Sequence, residues 1–348
     1  MIKVNARNKK RLIFLLRFVV AAAAVYLAFR GAEMQKVWQV LKSLNLWILL
    51  LGLIMYWISQ LIFVLRWQVL LKAQSIQIGY WPTVRLHLLG LFYNNCLPSS
   101  VGGDLLRAWY VTKHTDKKFE AAISVFVDRA IGLLGLVLMA FVGFCFLPKQ
   151  GTKQLVDFAN NLHLTDKLYA ARWYFLAFSA AVILILTAIL IIPRTRTAFL
   201  HFFSALKQKL SLVFLKLRKA VIVYWGKKTA LLIALMLTFL CQGIFITALV
   251  LIGKNIHLGA PVRYYYIFIP ISWVLGTLPI SPGGVGVVEG VLRLLFSQVS
   301  GVLQENAIAL ALCQRLLWLL GSLPGAVIHM MGVHLPKDFS IDYKDDNG

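Results

Sequence analysis

Charged residues are scarce in this sequence. They make up 14% of its 348 residues, only 13 residues are acidic, and the mean hydropathy is +0.77. Because soluble domains carry about 25% charged residues, this composition excludes most soluble classes of protein. The 22 Phe, 12 Tyr and 10 Trp residues also exclude an extended disordered chain. The sequence therefore predicts a membrane protein.

Cysteine and histidine are also few. The four cysteines lie in apolar stretches and have neither CxxC nor zinc-finger spacing, which argues against a disulfide framework or a structural zinc site. The seven histidines form no HExxH motif. We therefore expect no metal and no cofactor.

Basic residues, in contrast, are abundant: 36 Lys and Arg residues give a formal net charge of +23. They lie mostly between apolar runs, at 3–11, 113–118 and 194–228, where cytoplasmic flanks of membrane spans carry them. We therefore expect no nucleic-acid partner. The segment 194–228 mixes Phe and Leu with Lys and Arg, which predicts a basic amphipathic helix that binds anionic lipid of the inner leaflet. An ordinary solvated loop is the alternative.

Long apolar runs give the fold class. A membrane-spanning helix needs about 20 apolar residues, and two further runs, about 83–110 and 264–299, are broken by proline and glycine. The predicted fold is an all-α polytopic membrane protein with about six full spans and two broken re-entrant helical hairpins arranged as an inverted repeat. The predicted full spans are about 12–30, 44–66, 121–147, 173–193, 229–253 and 306–333.

Loop charges predict the organisation and orientation of the chain. Residues 1–11 form a basic cytoplasmic N-terminus, and 12–335 form a single transmembrane domain whose first helix is retained rather than cleaved as a signal peptide. Residues 336–348 form a tail whose DYKDD letters are either native or the start of an epitope tag. We expect a multi-pass protein of the cell (inner or plasma) membrane, and a homodimer is compatible with this organisation.

An internal repeat links the two broken segments. LPSSVGG begins at Leu97 and LPISPGG at Leu278, and each motif lies between two full spans. Repeat one covers about 44–147 and repeat two about 229–333. The loop charges predict opposite orientations for the repeats, which is the architecture of alternating-access transporters. Chance recurrence of a Pro-Gly break is the alternative.

The breaks themselves are candidate anion sites. Proline removes a backbone donor and glycine frees the backbone, so each break leaves N–H groups at the start of a second half-helix, where a phosphate binds well. The alternative is that the glycines only permit close helix packing, as in a GxxxG pair of Gly286 and Gly290. The candidate residues of the breaks are Pro98, Gly102, Gly103, Pro279, Gly283, Gly284 and Gly286.

Two interior arginines, Arg129 and Arg315, follow the breaks, one in each repeat. An arginine at mid-bilayer costs about 2.5–3.5 kcal/mol on insertion scales, so each needs a partner or a task. One hypothesis is that they bind the anionic head group of a lipid as the lipid crosses the membrane. The other is an ion-pair network with Asp104, Asp128 and Glu289 that holds the hairpins in place.

Two acidic residues follow the glycines of the breaks. Asp104 is placed either to cap the second half-helix or to carry a proton, and Arg107, one turn later, can pair with it. Glu289 lies at the matching half-helix of repeat two and is a candidate for a coupling proton.

These motifs resemble the lysylphosphatidylglycerol synthase transmembrane-region family, related to the flippase half of the multiple peptide resistance factor. The resemblance extends from about residue 10 to 335. It implies movement of a polar lipid between leaflets, with Asp104, Arg107, Arg129, Glu289 and Arg315 at the family's motif positions. It does not imply synthesis, since we expect no counterpart of the soluble aminoacyl-transferring domain. The motifs are LPSSVGGDLLRAWY, SVFVDRAIGLLGL, LPISPGGVGVVEG and ALCQRLLWLLGSLPG.

The leading hypothesis is therefore a lipid flippase rather than an enzyme. Its expected partner is a membrane phospholipid or polyprenyl lipid: an aminoacyl- or glyco-phospholipid, or a polyprenyl-phosphate-linked intermediate. The alternative is a membrane-embedded transferase acting on a lipid phosphate, with Asp104 or Asp128 as base. No nucleophile arrangement or nucleotide-binding motif in the sequence supports that alternative. A scaffold without transport would leave the costly interior charges unexplained.

Overall fold

The computed structural model describes residues 33–96, 102–113, 117–146, 226–278 and 281–331, together with Tyr26, Thr115 and Tyr224. Helices joined by short turns make up this part of the chain, and no β-strand occurs in it. Four of these helices are long and apolar enough to cross a membrane. The predicted all-α, polytopic membrane fold is therefore confirmed.

The helices are labelled in chain order. The long helices α2, α5, α6 and α9 coincide with the spans predicted at 44–66, 121–147, 229–253 and 306–333. The described residues include almost nothing of three predicted segments: the spans 12–30 and 173–193 and the basic segment 194–228. The elements are α1 (Met34–Lys42), α2 (Leu46–Ala73), α3 (Tyr80–Cys96), α4 (Gly102–Lys113), α5 (Lys118–Cys145), α6 (Lys228–Asn255), α7 (Val262–Gly276), a 3₁₀ turn (Pro282–Gly284), α8 (Val287–Phe296) and α9 (Gln304–Met330).

The long helices expose apolar side chains. Only 22% of the most apolar window of α2 is buried inside the protein, and Leu50, Trp57 and Leu61 are among its exposed side chains. Such a surface would be unfavourable in water, at about 25 cal/mol for each Å². In a bilayer the same surface faces lipid chains, so these helices are stable there without a fully buried apolar face.

Helices α2 and α6 pack against each other in antiparallel orientation. The backbone N–H of Asn45, the N-cap of α2, donates to the side chain of Asn255 at the end of α6, at 2.9 Å. At the other end, the Tyr224 hydroxyl, just before α6, donates to the Leu70 carbonyl near the end of α2, at 3.2 Å. Since each helix starts where the other ends, the two first helices of the repeats point in opposite directions.

The packing of α2–α5 is matched by that of α6–α9. Helix α5 packs on α7, and in the same way α9 packs on α3. The close approaches match too: an added Cβ at Gly135 of α5 would lie 2.4 Å from Thr238 of α6, and one at Gly321 of α9 would lie 2.0 Å from Tyr56 of α2. Gly135 and Gly321 are each the eighteenth residue of their helix, so a close approach between a second span and the first span of the other repeat occurs at both positions.

Candidate functional site

The second break is a turn built from glycines in the left-handed region. Gly283, Gly284 and Gly286 have φ angles of +57°, +68° and +80°, a conformation that residues with a side chain rarely adopt. Gly286 caps α8 rather than lying inside a helix. Gly286 therefore lies in the turn and not in the interior of the helix.

The first break is held by a close approach of two helices. An added Cβ at Gly103 would lie 1.9 Å from the carbonyl oxygen of Gly90 on α3, so α4 packs directly on the α3 backbone. The Gly103 N–H donates to the side chain of Asn94 at 2.8 Å. Gly102 is the first residue of α4. Pro98 and Pro279, the predicted prolines of the two breaks, lie outside the described residues.

The two breaks meet at Asn94. Its side chain bonds the start of α4, while its backbone carbonyl oxygen lies 3.5 Å from the position that a Cβ on Gly283 would take. The end of α3 therefore touches the glycine turn of the other repeat, and the two broken segments are adjacent inside the protein.

Three arginines and two aspartates form a network in repeat one, which we call the arginine network. Arg66 Nε donates to Asp128 Oδ1 at 2.8 Å, and both side chains are fully buried. Arg107 Nη1 lies 3.3 Å from Asp104 Oδ1, and its Nη2 lies 3.7 Å from Asp128 Oδ2. Arg129 also pairs with Asp104. The pairing predicted between Asp104 and Arg107 is thus present, and Asp104 is shared between two guanidinium groups.

An ion pair between Arg315 and Glu289 holds the turn of repeat two. Arg315 Nε donates to Glu289 Oε1 at 2.5 Å, and Arg315 Nη1 donates to the Gly283 carbonyl at 3.1 Å. The other carboxylate oxygen of Glu289 accepts the Gly286 N–H at 2.7 Å, which satisfies a donor at the start of α8. The guanidinium also lies 5.0 Å from the Trp318 ring centre. Glu289 and Arg315 therefore fix the shape of the break.

The Asp104–Arg129 and Glu289–Arg315 pairs are equivalent in the two repeats. Asp104 and Glu289 are each the third residue of their half-helix, α4 and α8. Arg129 and Arg315 are each the twelfth residue of the following long helix, α5 and α9. Each repeat thus joins its half-helix to its second span through one carboxylate and one guanidinium.

A cavity of about 510 Å³ lies between the two repeats. The Arg129 side chain lines it and is 39% exposed, whereas that of Arg315 is 13% exposed and is not among the lining residues. Repeat one contributes charged and amide side chains, and repeat two contributes mostly apolar and aromatic ones. The lining includes Gln60, Asn94, Asn95, Asp104, Arg107, Arg129, Gln242, Phe245, Trp273, Thr277, Gly283 and Trp318.

An apolar groove of about 190 Å³ adjoins the cavity. Both are lined by Gln60 and His87, whose side chains bond to each other at 2.8 Å. Otherwise the groove has apolar walls from α2, α3 and α9, including Leu61, Val84 and Leu88. A polar chamber and a hydrocarbon-lined groove thus meet at one hydrogen-bonded pair.

A family model described as "Lysylphosphatidylglycerol synthase TM region" matches residues 14–325 of the chain. The chain belongs to this family. It is also 23% identical to a "UPF0104 membrane protein" of Methanothermobacter thermautotrophicus, over 90% of this chain and 93% of that protein. The similarity to "UPF0104 membrane protein PH1989" of Pyrococcus horikoshii is 22%, over 90% of this chain and 96% of that protein. Membership supports a lipid-related function in a membrane and confirms the resemblance of the motifs.

In this member of the family, the predicted site residues form two clusters. Asp104, Arg107, Asp128 and Arg129 lie in the arginine network, whereas Gly283, Gly286, Glu289 and Arg315 surround the glycine turn. Gly284 lies in the same turn, where an added Cβ would lie 2.9 Å from the Gly276 carbonyl oxygen. Among the described residues, no group of three or more His, Cys, Asp or Glu side chains could hold a metal ion.

Among the polar residues of the site that sequence reasoning missed are Arg66 and Asn94. Arg66 is the last residue of the predicted span 44–66, yet α2 continues to Ala73 and buries it. Ser59 could have indicated a polar face on this helix, because it lies two helical turns before Arg66 on the same face. Asn94 gave no signal, because a polar residue beside a break also fits an ordinary turn.

Replacing Gly103 with Ala is expected to destabilise the protein by about 1–3 kcal/mol, the usual cost of overpacking. The new methyl group would overlap the backbone of Gly90, which cannot move aside as a flexible side chain can. Thermal unfolding in detergent measures the change.

The matched control is Gly243→Ala, because nothing lies within 4 Å of an added Cβ there. Gly243 lies inside α6, so alanine should be neutral or slightly stabilising. Equal unfolding temperatures for the two variants would contradict the close packing of α3 on α4.

Proposed function

We propose that this protein is a lipid flippase of the cell membrane. Its substrate is a phospholipid or polyprenyl-phosphate lipid with an anionic or polar head group, which it moves between leaflets without changing it. The observation that carries the proposal is the cavity between the repeats, into which the guanidinium of Arg129 is exposed. Ionised groups at membrane depth are costly, and in membrane proteins they mark the paths of polar substrates.

The helix breaks support a substrate site at the same place. Irregular backbone at membrane depth is tolerated where protein shelters it or where it lines a water-filled cavity. Here Asn94 and Gly283, one from each break, both line the cavity. A head group in the cavity would therefore contact both repeats at once.

The relation between the repeats supports alternating access. Transporters with inverted repeats and broken helices bind substrate at the repeat interface and open to each side in turn. The antiparallel course of α2 and α6, shown by the bonds from Asn45 and Tyr224, agrees with inversion. Rocking of one repeat against the other would expose the cavity first to one leaflet and then to the other.

The apolar groove supports a lipid rather than a water-soluble anion. A lipid needs a polar place for its head group and a continuous apolar path for its chains. The groove lies beside the cavity, since Gln60 and His87 line both, and its apolar walls suit such chains. A soluble anion would gain nothing from it.

A dithionite assay in proteoliposomes tests the proposal. Phosphatidylglycerol labelled on its head group with a nitrobenzoxadiazole dye is placed in both leaflets, and external dithionite destroys the dye that it reaches. A flippase exposes label from the inner leaflet, so the bleached fraction should exceed that of protein-free vesicles. Equal bleaching with every lipid tried would overturn the proposal.

Mass spectrometry of the lipids recovered from the same vesicles separates transport from the alternative, a transferase. An unchanged lipid is expected. A new lipid product would instead support chemistry on the lipid phosphate.

A further inference from the structure

We infer that the head group of the substrate contains a sugar ring, which stacks on aromatic side chains of the cavity. This inference rests on the proposed function and narrows it. Of the head groups that the sequence left open, it favours a glycosylated lipid over an aminoacylated one. The sugar is carried either by a phospholipid or by a polyprenyl phosphate, and the test below separates these two sources.

Four aromatic rings form one wall of the cavity, which we call the aromatic wall. They belong to four different helices, α2, α6, α7 and α9, and are Tyr56, Phe245, Trp273 and Trp318. The Phe245 ring centre lies 4.8 Å from that of Tyr56 and 5.3 Å from that of Trp273. The Trp273 ring centre lies 6.1 Å from that of Trp318. Rings at these distances are in contact, so the wall is continuous.

The two indole rings of the aromatic wall are held in place by α9. Trp273 Nε1 donates to the buried side chain of Gln314 at 3.1 Å. The Arg315 guanidinium lies 5.0 Å from the Trp318 ring centre. Both indoles are half-buried, so each keeps part of its surface open. A surface that is fixed before the ligand arrives loses little conformational entropy on binding, and the aromatic wall is therefore preorganised.

Hydrogen-bonding side chains lie between the rings of the aromatic wall. On α2, on α6 and at the end of α7, such a side chain lines the cavity one helical turn from a ring. The pairs are Tyr56 with Ser59, Phe245 with Gln242, and Trp273 with Thr277. A hydrocarbon chain on this wall would bury the three polar groups without partners, which is unfavourable. The wall therefore suits a ligand that has both C–H and hydrogen-bonding groups, whereas the adjoining groove suits the lipid chains.

These polar groups are available as acceptors. The Ser59 hydroxyl donates to the Tyr56 carbonyl at 2.6 Å, and the Thr277 hydroxyl donates to the Val274 carbonyl at 2.7 Å. Because their hydrogens are used in this way, the two hydroxyl oxygens can only accept a bond from a ligand. The Gln242 amide oxygen has no hydrogen-bond partner among the described residues. The wall therefore needs a ligand with several donors, which a bare phosphate does not provide.

A sugar ring has the chemistry that the aromatic wall needs. Its C–H face can lie on an aromatic ring, and the hydroxyl groups around its edge can donate to the acceptors. An ammonium group could also lie over an aromatic face. However, Asp104, the carboxylate of the described lining, is shared by Arg107 and Arg129, and the Trp318 ring already has a guanidinium beside it. The wall therefore favours a sugar over an aminoacyl group.

The test compares four lipids in the dithionite assay, with the dye on the lipid chain so that the head group is unmodified. They are phosphatidylglucoside, a glucosyl phosphate of a short polyprenol, phosphatidylglycerol and lysylphosphatidylglycerol. Phosphatidylglucoside and phosphatidylglycerol carry the same charge, so the ring is what differs between them. We expect one or both sugar lipids to move at least about tenfold faster than phosphatidylglycerol, since stacking and satisfied acceptors supply that much discrimination.

Each outcome of this comparison has a definite meaning. The faster of the two sugar lipids identifies which lipid carries the sugar. Movement of phosphatidylglycerol or lysylphosphatidylglycerol as fast as both sugar lipids would overturn the inference and leave the flippase proposal intact.

A binding measurement decides the inference if no lipid moves, a result that would overturn the flippase proposal. Each of the same lipids, unlabelled, is added to the full-length protein in a detergent whose head group is not a sugar, and the unfolding temperature is recorded. Stabilisation by the sugar lipids alone would support the inference. Equal stabilisation by all four lipids, or by none, would overturn it.

The variant Trp318→Leu removes one aromatic face and keeps an apolar side chain. The preference for phosphatidylglucoside over phosphatidylglycerol should fall to near unity, and Trp318→Phe should keep most of it. Leucine would serve a hydrocarbon chain as well as tryptophan does, so an unchanged preference would overturn the role of the aromatic wall. Trp47→Leu is the matched control, because Trp47 is 75% exposed and does not line the cavity. If Trp318→Leu fails to fold, the wild-type ratios decide.

Discussion

Arg129→Gln is expected to abolish lipid translocation while leaving the protein folded. Of the two described arginines that line the cavity, Arg129 has the more exposed side chain, so it is the one placed to contact a head group. A hydrogen bond to a charged group contributes about 1.5–3 kcal/mol, so a rate reduction of about 10- to 100-fold is the least we expect. The dithionite assay measures the rate, and size-exclusion chromatography with thermal unfolding checks the fold.

Two variants make this result specific. Arg263→Gln removes an exposed arginine outside the cavity and should translocate lipid at the wild-type rate.

Arg315→Gln should also abolish translocation, but for a different reason. Arg315 bonds to the Gly283 carbonyl and to Glu289 rather than facing the cavity. Arg315 is thus a positioning residue, and Arg315→Lys should restore part of the rate. A wild-type rate in Arg129→Gln would rule out a head-group role for that side chain.

Asp128→Asn is expected to destabilise the protein by about 3–5 kcal/mol, the cost of removing one partner from a buried ion pair. Asp128 is fully buried against Arg66, and Arg66 also donates to the Thr238 hydroxyl at 3.1 Å. The pair therefore joins α2 to α5, and Arg66 continues the link to α6. Thermal unfolding in detergent measures the loss.

The control for Asp128→Asn is the double variant Arg66→Met with Asp128→Leu. Replacing both members of a buried pair with apolar residues of similar size is often neutral or stabilising. The double variant should therefore recover most of the stability that Asp128→Asn loses. If the single variant unfolds at the wild-type temperature, the pair does not hold the helices together.

The apolar runs were sufficient to locate the described spans. Helices α2, α5, α6 and α9 follow from stretches of about 20 apolar residues, because a span must satisfy its backbone internally and face lipid along its length. The recurrence of LPSSVGG and LPISPGG, with their glycines at matching points, can be seen in the sequence itself. Pairing of Asp104 with Arg107 followed from helical spacing alone.

The partners of the other charges were not predictable in this way. The sequence allowed Arg129 and Arg315 either to bind a head group or to form ion pairs, and their equivalent positions gave no reason to separate them. In the structure Arg129 lines the cavity, whereas Arg315 bonds to the glycine turn. Arg66 could not be told from a flank, because its partner Asp128 is 62 residues away.

Composition and periodicity thus determined three properties: that this chain is a membrane protein, where its described spans begin, and where its helices break. These properties depend on neighbouring residues and on the thickness of the bilayer. Tertiary structure decided which charges meet, which arginine reaches the cavity and that α2 and α6 lie antiparallel. Those contacts join residues far apart in the chain. Their energies depend on distances and on burial, and neither can be obtained from the sequence alone.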